Sequence, residues 1–497
     1  MSTTYQKLQA KLAEVADLNN AAAVLGWDQE VYMPPKSGEL RSRQLATLSG
    51  LAHEMFSSGQ MGDLLEQLDQ DGSLDEVQQS NVRESLRDYR KSACYTRDFV
   101  EKLSEARSDA FLKWRKAREA NDFGLFRASL EHMVALKREE ASLLDIGEHP
   151  YDALMDTYEK GARTAALKTL FDDVRGQLVS FVRQIAEKPQ VPDAFLTGHF
   201  PRDKQWQYGL DILRNIGYDF ETGRQDVSAH PFTTAFGSRD VRITTRVDEA
   251  NFRDMLWSCI HEGGHALYEQ GLPLEQYGLP AGESASLGIH ESQSRLWENN
   301  VGRAMPFWTA HYPSLQQVFP DAFQSVSPRN FYRAINRVRP SLIRTESDEL
   351  TYHFHVMVRF EIEVGLIEGS LHARDLRDIW NDRYKSYLGL DVPDDKRGVL
   401  QDIHWSHGSI GYFPTYSLGS FYAAQFYQQA VKDLPGLEDE LAQGRSERLL
   451  HWLRENVHAH GRRYSSEQLC ERITGEPLKF HYFMEYAKRK YGDIYSL

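Results

Sequence analysis

Asp248-Glu-Ala-Asn-Phe-Arg-Asp-Met-Leu-Trp-Ser-Cys-Ile-His261-Glu262-Gly263-Gly264-His265 is the stretch that decides the reading of this chain. Its acidic start and the apolar positions Phe252, Met255, Leu256, Cys259 and Ile260 follow helical spacing, and Gly271 with Pro273 closes the element. On a helix, positions i and i+4 lie on one face. His261 and His265 therefore offer two imidazoles to a single metal ion, and Glu262 sits at the edge of that face, able to take a proton from a metal-bound water. The pattern implies a zinc-dependent hydrolase acting on peptides. Each glycine inside a helix destabilises it by about 1 kcal/mol relative to alanine. The pair Gly263-Gly264 is accounted for if another backbone or a bound substrate passes close, the alternative being a kink.

Working outward, the residues before this helix read as a β-hairpin: Phe232-Thr-Thr-Ala-Phe236, a turn at Gly237-Ser238-Arg239, then Val241-Arg-Ile-Thr-Thr-Arg-Val247. A strand beside a metal helix can bind extended peptide by adding it as a further strand; the plainer alternative is a purely structural hairpin. After the helix, a catalytic zinc needs a third protein ligand, keeping a fourth position for water. Glu269 lies one turn along the same helix and would stretch away, while Glu275 and Glu283 fall in a Pro/Gly-rich connection. Glu291, in a second helix opened by a serine cap, is the favoured candidate, with Glu298 and Glu283 as alternatives.

The rest of the chain is helical in pattern. Leu8, Leu12, Val15 and Leu18 repeat at three- and four-residue spacing, as do Val82, Leu86 and Tyr89, and Phe126, Leu130 and Met133. With no internal repeat or low-complexity linker, the 497 residues read as one large helical domain, 1–497, divided into two lobes around a cleft. The formal charge of −14, with no basic block to offset it, argues against nucleic acid or an anionic membrane as partner. No apolar run reaches the length of a membrane span, and no signal-peptide core opens the sequence. Cys94, Cys259 and Cys470 are too few and too scattered for a disulfide framework. These features predict a cytoplasmic protein.

Six motifs recur in order: His230-Pro-Phe232, Asp240-Val-Arg242-Ile-Thr244, His261–His265, His290-Glu-Ser-Gln293, Ile343-Arg344 with Ser347-Asp348, and Gly398-Val-Leu-Gln401-Asp402-Ile-His404-Trp405. Together with Gly26–Pro35 they resemble the signature set of the carboxypeptidase Taq family of metallocarboxypeptidases, over essentially the whole chain. The resemblance implies a mainly α fold with a deep groove, similar to neurolysin and angiotensin-converting enzyme. It implies a homodimer that removes C-terminal residues one at a time, using Zn2+, or Co2+ in some members. It places the ligand roles on His261, His265 and Glu291 and the base role on Glu262.

A carboxypeptidase must also grip a free C-terminal carboxylate, which the planar fork of arginine does best. Arg344 and Arg242 are the candidates; the alternative for either is a structural ion pair, for example with Asp348 or Asp240. His404, Tyr412 and Tyr416 are candidate donors to the oxyanion. His353 and His355, two apart, point to different faces and read as core or surface residues, while His451, His458 and His460 read as solvated. A helical zinc oligopeptidase that cuts internal bonds of short peptides is the competing enzyme, and a helical protein that keeps its metal for stability is the non-enzymatic alternative.

Overall fold

The computed structural model describes residues 3–497 and is mainly α-helical, with one small sheet. The chain forms two compact units, each assembled from three separate stretches. One comprises residues 1–92, 192–335 and 422–478; the other comprises 93–191, 336–421 and 479–497.

The first unit contains the sheet and the HExxH helix. That helix spans Phe252–Gly271, and Asn251 caps it, its side chain accepting the backbone N–H of Arg253 at 3.2 Å. Met255, Leu256, Cys259 and Ile260 are buried, so the stripe seen in the sequence is the packed face. At the helix start Phe252 joins an aromatic core with Phe200, Phe323 and Phe331, its ring centroid 5.5 Å from Phe200 and 5.1 Å from Phe323. A satellite core gathers Tyr5, Leu8 and Leu12 of the N-terminal helix with Leu65, Val82 and Leu86.

The sheet has the order β1-β3-β2, with β1 at Gly223–Val227, β2 at Thr233–Ala235 and β3 at Val241–Thr245. Strands β2 (Thr233–Ala235) and β3 (Val241–Thr245) form the expected hairpin, with Thr234 opposite Arg242. Strand β1 (Gly223–Val227) was not foreseen; it runs parallel to β3, and its sequence Gly-Arg-Gln-Asp-Val lacks the apolar alternation that marks strands. Two of the six motifs build this hairpin. Thr244 accepts the backbone N–H of Phe232 at 3.0 Å and the Ser228 hydroxyl lies 2.7 Å from it, which fixes the turn at His230-Pro-Phe232.

In the second unit the helix Tyr352–Glu368 is buried along nearly its whole length. A helix enclosed on all sides must find partners for every polar group it carries. His353 and His355 are fully buried, their Nδ1 atoms 2.9 Å from the hydroxyls of Ser417 and Tyr384. Arg359 and Glu363 on the same helix reach the segment 402–411 described below.

Candidate active site

Three ligand atoms, one each from His261, His265 and Glu291, lie within 4.8 Å of one another. Glu291 Oε2 is 3.7 Å from His261 Nε2 and 3.3 Å from His265 Nε2. Atoms each 2.0–2.1 Å from a tetrahedral ion stand roughly 3.3 Å apart, so the group is close to ligand spacing. Its surroundings also favour a cation. Burial disfavours charge on His261, yet Glu291 and Glu298 outweigh it and raise the imidazole above its usual range. Burial lowers His265 to about 3, which leaves its nitrogen lone pair available as a ligand.

Glu291 comes from the helix Leu287–Arg295, whose Ser286 cap accepts the Ile289 N–H at 2.9 Å. Arg295 donates to Glu291 Oε1 at 2.7 Å, and Ser294 Oγ lies 3.1 Å from Oε2. Burial alone would raise this carboxyl; Arg295 and His261 reverse that and hold it well below the usual range. The two helices can approach this closely because residue 264 is glycine: a Cβ there would stand 2.7 Å from the Gln293 carbonyl oxygen and the Ser294 Cα. At Gly263 it would stand 2.7 Å from Leu213 Cδ2. Both glycines are buried and face packed protein, which corrects the expectation that substrate passes over them. The backbone alternative holds for Gly264, while Gly263 receives the side chains of the helix Arg202–Ile216.

Around these residues stands a set of carboxylates and imidazoles the sequence reading did not assign. Directly after Arg295 the chain forms one π-helical turn, Leu296–Val301, a form that recurs at functional sites. It carries Glu298, whose Oε2 is 2.9 Å from His261 Nδ1 and whose other oxygen accepts from Arg303 at 3.0 Å. Glu298, weighed as a ligand from spacing, thus contacts the Nδ1 side of His261, while Nε2 faces Glu291. His265 Nδ1 is 2.5 Å from His290 Nδ1, and His290 Nε2 is 2.8 Å from Glu269 Oε1. Glu269 does point away from the three-atom group, but its carboxylate ends this relay. Partners of this kind orient ligand imidazoles and fix their tautomers. Glu283 is elsewhere, paired with Arg462 at 2.9 Å.

Glu262 is buried, and desolvation raises its carboxyl, moderated by His261 and Thr233. Thr233 on β2 donates to Glu262 Oε2 at 2.6 Å. Because Thr244 N bonds to the Phe232 carbonyl and Phe236 N to the Asp240 carbonyl, Phe232 and Phe236 face β3. In an antiparallel ladder the intervening Thr233 and Ala235 then turn their main-chain groups to the outer side of this edge strand. Arg242, on β3, makes a two-pronged pair with Asp240 at 2.8 Å and lies 4.4 Å over the Trp27 ring, in line with the structural alternative.

The remaining candidates lie in the second unit. Arg344 opens a short 3-10 turn, Arg344–Glu346, ahead of the helix that begins at Tyr352. Its guanidinium is buried and pairs with Asp402 at 3.0 Å, not with Asp348, which accepts the backbone N–H groups of Arg339, Leu350 and Thr351. Tyr352 OH accepts from Arg344 Nη1 at 3.0 Å, and Tyr416 lies 4.8 Å beneath the guanidinium. Arg359 also binds Asp402, so two guanidiniums share one carboxylate and the cluster keeps a net positive charge. Burial raises Asp402, and the two arginines overcome it and hold it well below the usual range. His404 is lowered to about 3 by burial; its Nε2 is 3.3 Å from Tyr416 OH, and its buried Nδ1 has no hydrogen-bond partner among the described residues. Tyr412 packs between Tyr416 and Tyr158.

Glu363 was also missed. Its carboxylate accepts Trp405 Nε1 at 2.8 Å, the Gly411 N–H at 3.0 Å and Tyr151 OH at 2.7 Å. Burial pushes it up to about 7 despite these donors. The helical run around it also carries Arg359 and Glu361, so nothing in the sequence singled out Glu363. His458, read as solvated, is fully buried in the first unit, its Nε2 3.0 Å from Gln293 Oε1.

Two imidazoles one helical turn apart, a carboxylate from a second helix and an acid beside them define a metal-dependent hydrolase. Residues 7–491 match the family described as carboxypeptidase Taq (M32) metallopeptidase. Thermostable carboxypeptidase 1 of Thermus thermophilus is 40% identical over 507 residues, covering 99% of each chain. Among solved structures, a protein designated CHT is 55% identical with a TM-score of 0.97, covering 98% of this chain and 99% of that one. The M32 carboxypeptidase from Deinococcus radiodurans R1 is 39% identical with a TM-score of 0.98, over 100% of both chains. The chain belongs to the carboxypeptidase Taq (M32) family and is a metallocarboxypeptidase, a peptide hydrolase that uses a divalent metal.

Proposed function

We propose that the metal is zinc, replaceable by cobalt, that His261, His265 and Glu291 hold it, and that Glu262 is the general base. The reaction releases single C-terminal residues from peptides of broad sequence. The observation that carries this reading is the convergence of two imidazoles and one carboxylate within 4.8 Å, with a second buried carboxylate on the residue after His261. When bound, the metal supplies Lewis acidity, polarising the scissile carbonyl and lowering the pKa of a water toward about 7.

The chain's own groups do the rest. Glu262, raised by burial, is a stronger base than an exposed carboxylate. With Oε2 held by Thr233, Oε1 is left to accept the proton of the attacking water and to pass it to the leaving amine. The outer edge of β2 offers main-chain groups to which an extended peptide adds as a strand. Arg344, in a cluster with excess positive charge, is the proposed anchor for the free carboxylate, and His404, Tyr412 and Tyr416 are the proposed donors to substrate oxygens. The unpartnered Nδ1 of His404 supports its place in that group. Arg242 is the weaker substrate contact, since Asp240 already engages it.

Each unit draws on three interleaved stretches, which supports treating 1–497 as one functional domain. Among the described residues no helix is long and apolar enough to cross a membrane. A cytoplasmic location is proposed on the scarcity of cysteine, three in 497 residues. A homodimer is proposed on the family resemblance, and light scattering on the purified protein checks it. Glu262→Gln tests the chemistry: metal content should stay at one ion per chain while kcat falls by about 10²–10⁴. An unchanged kcat contradicts the assignment.

A further inference from the structure

The segment from His404 to Tyr412 carries two of the proposed substrate-binding side chains at its two ends. Inside it, a 3-10 turn His404–His407 is followed by Gly408 and Gly411, both with positive φ. Little holds such a stretch by regular secondary structure. One carboxylate bonds residues at both of its ends. Trp405, next to His404, donates its indole N–H to Glu363 Oε1 at 2.8 Å; Gly411, next to Tyr412, donates its backbone N–H to Oε2 at 3.0 Å. Tyr151, from the short helix Pro150–Met155, adds a bond to Oε2 at 2.7 Å. That same helix presses on Gly411, where a Cβ would stand 2.9 Å from the Leu154 carbonyl carbon and the Met155 nitrogen.

From this geometry we infer that Glu363 is a positioning residue of the carboxypeptidase, clamping both ends of the His404–Tyr412 segment so that the two side chains meet substrate in a fixed relation. The inference rests on the reading of His404 and Tyr412 as substrate-binding groups. The chemistry requires a carboxylate. An indole N–H and a backbone N–H can only donate, so both oxygens must accept. Glutamine has nearly the same shape but places an NH2 at one of the two positions, leaving either Trp405 or Gly411 facing another donor. A buried donor without an acceptor is costly, and the segment relieves it by moving. Displacements of about 1 Å in a site lower turnover by about 10²-fold.

The test compares metal-loaded wild type with Glu363→Gln, His404→Ala, Tyr412→Phe and the double variants, on an N-blocked dipeptide with a free carboxylate. Expected for Glu363→Gln is a 10- to 100-fold lower kcat/KM with metal content unchanged. In the His404→Ala and in the Tyr412→Phe background the same substitution should have a smaller effect than in wild type, because one of the two groups it positions is gone. Trp405→Phe and Tyr151→Phe, which keep the carboxylate and remove one donor each, should give smaller losses, and they serve if Glu363→Gln does not fold. A kcat/KM within twofold of wild type, or losses that multiply fully in the double variants, overturns the clamp. Loss of activity through loss of metal also overturns it. If His404→Ala and Tyr412→Phe are themselves without effect, the substrate-binding reading of the segment fails, and the clamp with it.

Discussion

His261 and His265 share a hydrolytic helix, yet what holds each ring differs. Glu298, itself held by Arg295 and Arg303, contacts the Nδ1 of His261 directly; His265 is reached through a second imidazole that ends on Glu269. If His265 turns Nε2 to the metal, its Nδ1 carries the proton, His290 Nδ1 accepts it, and His290 Nε2–H donates to Glu269. His290→Phe keeps the ring volume and breaks the relay. Metal affinity measured against a competing chelator should then weaken by about 10- to 100-fold; unaltered affinity would show that the relay does not support the ligand. At this scale the pairing of His261 with His265 was legible because helical spacing alone puts them together, and the approach of Glu291 because few acids follow on a rigid element. Glu298 had a signal too, seven residues after Glu291 and so two turns along the same face. His290, Thr233 and Glu363 had none that singled out a partner, since their contacts join residues 21 to 212 positions apart.

Elements set the distances on which those side chains depend. The HExxH helix and the Glu291 helix touch backbone to backbone at Gly264, and an added methyl has no flexible neighbour to push aside. Gly264→Ala should therefore cost about 1–3 kcal/mol from overpacking, despite the better helix propensity of alanine. Thermal melts of the metal-free protein should show a lower midpoint, and the spread of Glu291 from the histidines should weaken metal binding in parallel. An equal or higher midpoint would mean that the helices are not held at this separation. The glycine pair was legible as a sign of close approach, but which neighbour approached was not, because sequence spacing says nothing about the facing helix. Strand β1 was hidden for a similar reason: Gly223–Val227 is a strand through its parallel pairing with β3, not through its own pattern.

For the molecule as a whole, the helical class was written in apolar periodicity and the hairpin in its β-branched residues, whereas which stretches build each of the two units was not. Units built from distant segments leave no linker to read. Buried acids link this architecture to pH. Glu363 has a folded pKa of about 7, raised by burial above an unfolded value near 4.5. Its contribution to stability is fully present below about pH 4.5 and is lost as pH rises through 7, an effect of about 3 kcal/mol. Between pH 5 and pH 8, urea midpoints of wild type should therefore fall relative to those of Glu363→Gln. Parallel profiles would show that Glu363 does not titrate in this range.

We expect the chain to trim peptides from a free carboxyl end, through Glu262 and the His261, His265, Glu291 group. The decisive measurement is a mass-spectrometric time course on one peptide, prepared with a free and with an amidated C-terminus. The free acid should give a ladder losing one C-terminal residue at a time, the amide should be cleaved little, and Glu262→Gln should abolish the ladder. Internal fragments from both peptides, in equal yield, would contradict this and identify an oligopeptidase instead.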